Sequence, residues 1–407
     1  MTDLETRGAR PGAATLRRAA PALLGYAAVR ALGLLTLALW SAARDKSAYT
    51  LLTARWDSLW YTRVAELGYG YEVRLPNGDV HSNLAFFPLL PWLERLLAAT
   101  TPLSYAGAGL VVALLTSLAA AWGIFAVADH VYGGTDNGAE PGLGGVTAEG
   151  GRAGVCAVLL WAVLPVGIVQ SMAYSESLFT ALAAWSLYAV LTGRWVTAGA
   201  LASLAGLTRP VGLAVVAAVW VAAIASFARD RRAAPAAPDS RRTTARALGM
   251  LLAPLGAAAY VLWVGHRTGK GPLGYLDVQA GWRNGFDGGY AFARFVADKF
   301  TSFPSAMAGV GLIVGVGLIV WLYVVCVRQG QPLPLLVYAG VVTALALCAS
   351  SYFGSKPRLL LPAFPLLLPL ARALDRARPR RSALVLGGVA VASAAYGAFW
   401  LNGSGPP

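Results

Sequence analysis

The chain has 407 residues, of which 57% are hydrophobic and only 13% charged, and its mean hydropathy is +0.59. Soluble domains carry roughly a quarter charged residues, so this balance excludes one; repeated apolar runs of bilayer length indicate a polytopic membrane protein. The net charge of +14 does not signal nucleic acid, because the arginines cluster in short segments between apolar runs, as topology signals and anionic-lipid contacts do.

In chain order, residues 1–19 are polar and contain Arg7, Arg10, Arg17 and Arg18, a basic tail expected in the cytoplasm. The apolar run after Pro21 is too long for a signal peptide and lacks a small-residue cleavage site, so 21–42 is expected to stay as the first span. The aromatic-rich loop 43–83 follows. Residues 84–99 are apolar but interrupted by Pro88 and Pro91, which predicts a re-entrant or interfacial segment and extends the first extracytoplasmic loop to 43–104. Further spans are expected at 105–128, 153–171, 177–192, 195–207, 210–228, 247–265, 306–327, 333–350, 359–371 and 382–401. A flexible loop, 129–151, and a second long extracytoplasmic loop, 266–305, separate some of them, and 402–407 form a short tail. Residues 20–401 thus make a single transmembrane domain. Cys156, Cys326 and Cys348 lie in apolar runs and read as small buried hydrophobes, not as a disulfide or metal framework.

Eleven spans with a cytoplasmic start put 1–19, 229–246 and 372–381 inside. These segments hold four, six and five arginines, fifteen of the 33 lysines and arginines, so charge bias and span count agree. The loops 43–83, 172–176, 208–210, 266–305 and 351–358 then all fall outside, and the chemically interesting residues converge on that face of the cell membrane.

The richest stretch is Arg55-Trp56-Asp57-Ser58-Leu59-Trp60-Tyr61, followed by Gly68-Tyr69 and Ala85-Phe86-Phe87-Pro88-Leu89-Leu90-Pro91. Read as a helix, Trp56, Trp60, Val64 and Leu67 form an apolar stripe suited to the membrane interface, with Asp57, Ser58 and Tyr61 beside it and free to face a cleft. Asp57 suits catalysis, and it equally suits a helix cap. Glu176 interrupts an apolar stretch, as carboxylates facing a cavity or a partner do. Arg209 ends a short span before Pro210 and can pair with a lipid phosphate, Asp57 or Glu176. Lys356 and Arg358 flank Pro357 and suit a phosphate. In 266–305, His266, Arg267, Lys270, Trp282, Arg283, Asp287 and Tyr290 offer stacking rings and polar groups. His81 and Asp79 are too few for a metal site, and the chain has no P-loop, zinc signature or Ser-His-Asp order.

The three motif stretches above resemble the first extracytoplasmic loop of the PIG-V-like mannosyltransferases. Tyr174-Ser175-Glu176-Ser177-Leu178-Phe179 is similar to that family's Tyr-Ser-Glu motif, and Thr208-Arg209-Pro210-Val211-Gly212 to its Arg-Pro/Ser-x-Gly step. The resemblance spans most of residues 20–375 and implies an all-α GT-C membrane fold with an active site on the extracytoplasmic face. It implies a polyprenyl-phosphate-mannose donor, with Asp57 as the general base and an inverting displacement. Arg209, Lys356 and Arg358 would steady the leaving phosphate. Glu176 would orient Arg209 or the acceptor, and Arg55, Trp60, Tyr61, His81 and Tyr174 would contribute substrate contacts. Eukaryotic relatives mannosylate the glycosylphosphatidylinositol anchor precursor. Here Trp60 stands where they commonly carry His, and the chain looks bacterial, which leaves a lipid-linked glycan, a phosphatidylinositol mannoside or a protein hydroxyl as acceptor. No cofactor is implied beyond the lipid-phosphate sugar, and the sequence leaves a divalent metal and an accessory subunit open. A transporter or flippase of a lipid-linked substrate is the competing class, but internal repeats and mid-bilayer charges are missing from the sequence.

Overall fold

A computed structural model of the chain describes residues 13–133, 148–232 and 240–403. The tail up to residue 12, residues 134–147 of the expected flexible loop, residues 233–239 of a basic segment and the end of the C-terminal tail, 404–407, lie outside the described residues.

The protein is a helical membrane bundle, as the apolar runs require. Six helices have the length and composition to cross a bilayer: Leu16–Ala42, Tyr105–Tyr132, Pro210–Arg232, Ser240–Thr268, Phe303–Arg328 and Pro379–Asn402. A seventh candidate is a pair, Phe353–Leu359 and Phe364–Arg376, bent by 73°. The expectation of eleven full spans is therefore not met among the described residues. The other four expected positions carry shorter apolar helices, Gly151–Ala162, Glu176–Leu191, Trp195–Gly206 and Leu333–Cys348. At 1.5 Å per residue, helices of this length fall short of a hydrocarbon core of about 30 Å.

Two of the interruptions are satisfied locally. The expected span 153–171 stops at Ala162, turns through Pro165 and continues as a 3-10 segment, Gly167–Ser171. A break inside a bundle frees carbonyls that lipid cannot satisfy. Buried side chains take them up: Arg30 donates to the carbonyls of Ala162 and Gly167, Gln170 Nε2 to Trp161 O at 2.8 Å and Ser393 Oγ to Leu164 O at 2.7 Å. The bent pair is treated alike. Trp161 Nε1 donates to Leu361 O at 3.0 Å and Tyr338 Oη to Pro362 O at 3.0 Å.

Close packing elsewhere relies on small residues, as is usual where the lipid offers no hydrophobic drive between helices. Gly199 lies against the backbone of Gly249, and Gly256 against that of Ser203, so any side chain at either glycine would strike a main chain. The largest core cluster centres on Tyr26, Phe125, Trp161, Phe179 and Phe364.

Residues 84–99 divide at Pro88. A 3-10 turn, Asn83–Ala85, precedes it, and a helix, Leu89–Thr100, follows with Pro88 as its N-cap and Pro91 in its first turn, where a proline lacks no hydrogen bond. Its buried face carries Leu90 and Glu94, while Trp92 and Leu96 are exposed. A charged residue inside and apolar ones outside suit an interfacial helix whose outer surface is lipid. Two short antiparallel ribbons add to the helices. Glu72–Arg74 pairs with Val80–Ser82 through a turn in which Gly78 has φ +87°, and Gly285–Phe286 pairs with Ala349–Ser350. The second ribbon ties the 266–305 segment to the loop ahead of Arg358.

Candidate active site

The helix Asp57–Leu67 begins abruptly. Trp56, its N-cap residue, has φ 50° and ψ −123° and no capping side chain, an uncommon backbone state for a bulky residue and the sort of strain that gathers at functional sites. Ser58, not Asp57, serves the helix start: its Oγ accepts from Arg55 N at 3.1 Å and donates to Arg55 O at 2.6 Å. The expected stripe divides. Ser58, Tyr61, Val64 and Ala65 face inward, Trp60 enters an aromatic cluster, and Leu67 is exposed.

Asp57 is thereby left with its carboxylate directed at Arg358, whose Nη1 lies 2.7 Å from Asp57 Oδ2. The same guanidinium approaches Glu176, Nε to Oε1 at 3.3 Å, and Glu176 also pairs with Arg209. The result is a chain of alternating charges: Asp57, Arg358, Glu176, Arg209. Exposure grades along it. Side-chain exposure is 1% for Glu176, 9% for Arg358, 13% for Arg209 and 29% for Asp57. Asp57 and Glu176 thus hold the Arg358 guanidinium between them.

The Tyr174–Ser175–Glu176 turn provides the platform. All three residues are buried. Tyr174 presents its ring to Arg358, with the guanidinium carbon 5.0 Å from the centroid. Ser175 Oγ meets Tyr61 Oη at 2.8 Å and accepts from Arg209 Nη1 at 3.4 Å. Burial pushes the Tyr61 hydroxyl above its ordinary range, so it stays neutral. Arg209 reaches the site because it precedes Pro210 in extended backbone, φ −161° and ψ 154°, the conformation that a following proline enforces.

Six of the expected residues therefore converge: Asp57, Tyr61, Tyr174, Glu176, Arg209 and Arg358. Others do not. Arg55 stacks over the Trp56 ring at 4.0 Å and donates to the carbonyls of Leu401 and Gly403 at 3.0 and 3.3 Å. Lys356 Nζ donates to the carbonyls of Ala346, Leu347 and Ala349 at 2.8, 3.4 and 2.8 Å. It caps the C-terminus of Leu333–Cys348 and has no donor left for a phosphate.

Trp60 lies parallel to Phe86, ring centroids 5.6 Å apart, with Trp282 against its edge at 4.9 Å. His81 stacks on Trp282 at 4.1 Å. Asp79 is held by Arg283 at 2.6 Å, so His81 and Asp79 serve different neighbours and do not form a ligand pair. Within 266–305, Trp282 thus joins this aromatic cluster and Arg283 pairs with Asp79. Lys270 pairs with Asp277 at 3.4 Å, Asp287 accepts from the backbone of Gly289 and Ala291, and Tyr290 is exposed. Sequence reasoning passed over Ser175, whose place between Tyr174 and Glu176 was the available signal. It also missed Glu94, a carboxylate in an apolar run. Glu94 is fully buried against Gly109, and burial raises its carboxyl well above the usual carboxylate range.

No curated protein shows significant sequence similarity to the chain. Two solved structures share limited likeness. ArnT from Cupriavidus metallidurans, in the apo state, aligns at 16% identity and TM-score 0.48, over 93% of this chain and 63% of that one. The oligosaccharyltransferase AglB from Archaeoglobus fulgidus, in complex with an inhibitory peptide and a dolichol-phosphate, aligns at 13% identity and TM-score 0.43, over 94% and 56%. The chain therefore spans less than two thirds of either solved chain. The family described as mannosyltransferase (PIG-V) matches residues 37–232, a little under half of the sequence. That segment contains Asp57, Tyr61, Tyr174, Glu176 and Arg209. Over residues 37–232 the chain is similar to the mannosyltransferase (PIG-V) family.

Proposed function

We propose that this protein is a membrane mannosyltransferase of GT-C type that takes mannose from a polyprenyl-phosphate-mannose donor and passes it to an acceptor hydroxyl on the extracytoplasmic face of the cell membrane. The observation that carries the reading is the Asp57–Arg358–Glu176–Arg209 chain, built on the motifs of a mannosyltransferase family. It joins a carboxylate suited to take a proton with guanidinium groups suited to a phosphate.

In the reaction, the acceptor oxygen attacks the anomeric carbon and its proton passes to Asp57. The carbon–oxygen bond to the lipid phosphate breaks, and the electron pair leaves with that oxygen. Arg358 and Arg209 meet the developing negative charge in this reading, in the role of a fixed cationic clamp. A single displacement of this kind inverts the anomeric centre. Glu176 holds both guanidinium groups and is a positioning residue. A lipid-linked glycan, a phosphatidylinositol-type lipid and a protein hydroxyl are all acceptors that such a site can serve.

The test is mannose transfer from polyprenyl-phosphate-mannose in membranes of a strain lacking the gene, complemented with wild type or Asp57→Asn at matched expression. Transfer by the wild type that is lost in the variant supports the reading. Absence of transfer by the wild type with every extracted acceptor, together with substrate counterflow across sealed vesicles, would replace it with a carrier.

A further inference from the structure

The four site charges cancel: Asp57 and Glu176 against Arg358 and Arg209. An anionic phosphate therefore meets no free cation there. To be bound it must take a guanidinium from a carboxylate that already holds it, because an additional unpaired anion at so buried a place is costly. The two carboxylates are not equally replaceable. Glu176 is 1% exposed and touches both arginines, whereas Asp57 is 29% exposed and touches Arg358 alone. Displacing Glu176 would strand a buried charge; displacing Asp57 would return one to a partly hydrated cleft.

We infer that the donor's phosphate and Asp57 compete for Arg358, so that donor binding itself frees the Asp57 carboxylate. This rests on the mannosyltransferase reading and deepens it. With the site empty, the Asp57 carboxylate is engaged by Arg358. With the donor in place, the phosphate occupies Arg358 and Asp57 faces the acceptor hydroxyl unpaired. The base is thus armed by the substrate it serves, and donor precedes acceptor. Glu176 is the fixed point of the exchange, keeping Arg358 and Arg209 in position while their other partner changes.

The consequence is unusual for a residue assigned to the chemistry: removing its charge tightens the binding of the donor's leaving group. The experiment measures binding of a synthetic prenyl phosphate, without sugar, to the purified full-length protein in nanodiscs. Asp57→Asn removes the competitor and keeps the shape, so its affinity should rise roughly tenfold over wild type, as expected for loss of one charge-assisted contact. Arg358→Gln should weaken binding, and the double variant should match Arg358→Gln with no gain from Asp57→Asn.

An unchanged or weaker affinity in Asp57→Asn overturns the exchange, as does an equal gain in the double variant, or the absence of measurable binding to both wild type and Asp57→Asn. Should Arg358→Gln fail to fold, Arg358→Lys carries the same comparison with a shorter, single-point cation. The two readings fail separately. Transfer by wild type with no gain in Asp57→Asn retains the enzyme and rejects the exchange. A gain in Asp57→Asn with no transfer to any acceptor retains the phosphate exchange and rejects the transferase.

Discussion

Arg30 and Arg358 are both arginines sunk into apolar helices beside a helix break, yet they are held by different partners. Arg30 donates to main-chain carbonyls of Ala162 and Gly167; Arg358 faces the carboxylates of Asp57 and Glu176. Lys356, two residues from Arg358, follows the pattern of Arg30, with its donors on three carbonyls. A carbonyl is neutral and fixed to the backbone, so its cation becomes part of the scaffold. A carboxylate is charged and mobile, so its cation stays open to exchange with another anion. Burial alone does not mark a functional cation in a membrane bundle; the kind of oxygen it faces does.

The largest effect expected from breaking this contrast falls on Asp57. Asp57→Asn should lower mannose transfer by about a hundred- to ten-thousandfold, the usual contribution of a general base, with little change in the thermal midpoint of the detergent-solubilised protein. Arg358→Gln should reduce transfer by about a hundred- to a thousandfold, as loss of a transition-state charge partner does; retention of full activity would put Arg358 among the scaffold cations. Arg30→Met should do the reverse. Two buried carbonyls lose their donor, which costs about 3 kcal/mol of stability, while turnover per folded molecule stays near wild type. Lys356→Met should show the same separation at about 2 kcal/mol.

The smallest effect concerns Glu94, in a helix that lies outside the membrane spans. Its carboxyl is raised by burial, so the folded protein binds a proton that the unfolded chain releases above the ordinary carboxylate range. Stability should be fully present below that range and should decline as pH rises towards the raised value. Glu94→Gln should flatten this slope in thermal midpoints taken between about pH 5 and pH 8. An equally steep slope in the variant would assign it to another group.

Much of this was legible in the sequence, for identifiable reasons. Apolar runs located the six long helices and the bent pair, because the bilayer imposes length and polarity directly. Span lengths were not legible. Pro165 and Pro362 are visible, but the decision to break the helix depends on whether Arg30, Trp161 and Tyr338 are near enough to satisfy the freed carbonyls. Pro91 sits inside a first helical turn without breaking it, because a proline's position relative to a helix start is invisible in one dimension. At the site, Asp57, Glu176 and Arg209 announced themselves as charges at apolar borders. Lys356 and Arg358 looked equivalent on either side of Pro357. Their opposite roles follow from the helix Lys356–Leu359, which turns residues two apart in different directions.

The alternating chain of charges also has a consequence for how the protein is made. Asp57, Glu176 and Arg209 all lie within residues 37–232, whereas Arg358 arrives from beyond the second long loop. While the ribosome is still short of residue 358, the growing chain has two acidic members of the set and a single arginine to balance them. Charge balance is reached only when the bent 353–376 pair docks. A nascent chain stalled before that point would leave Asp57 without its arginine, so the charge set is complete only once the late helices are in place.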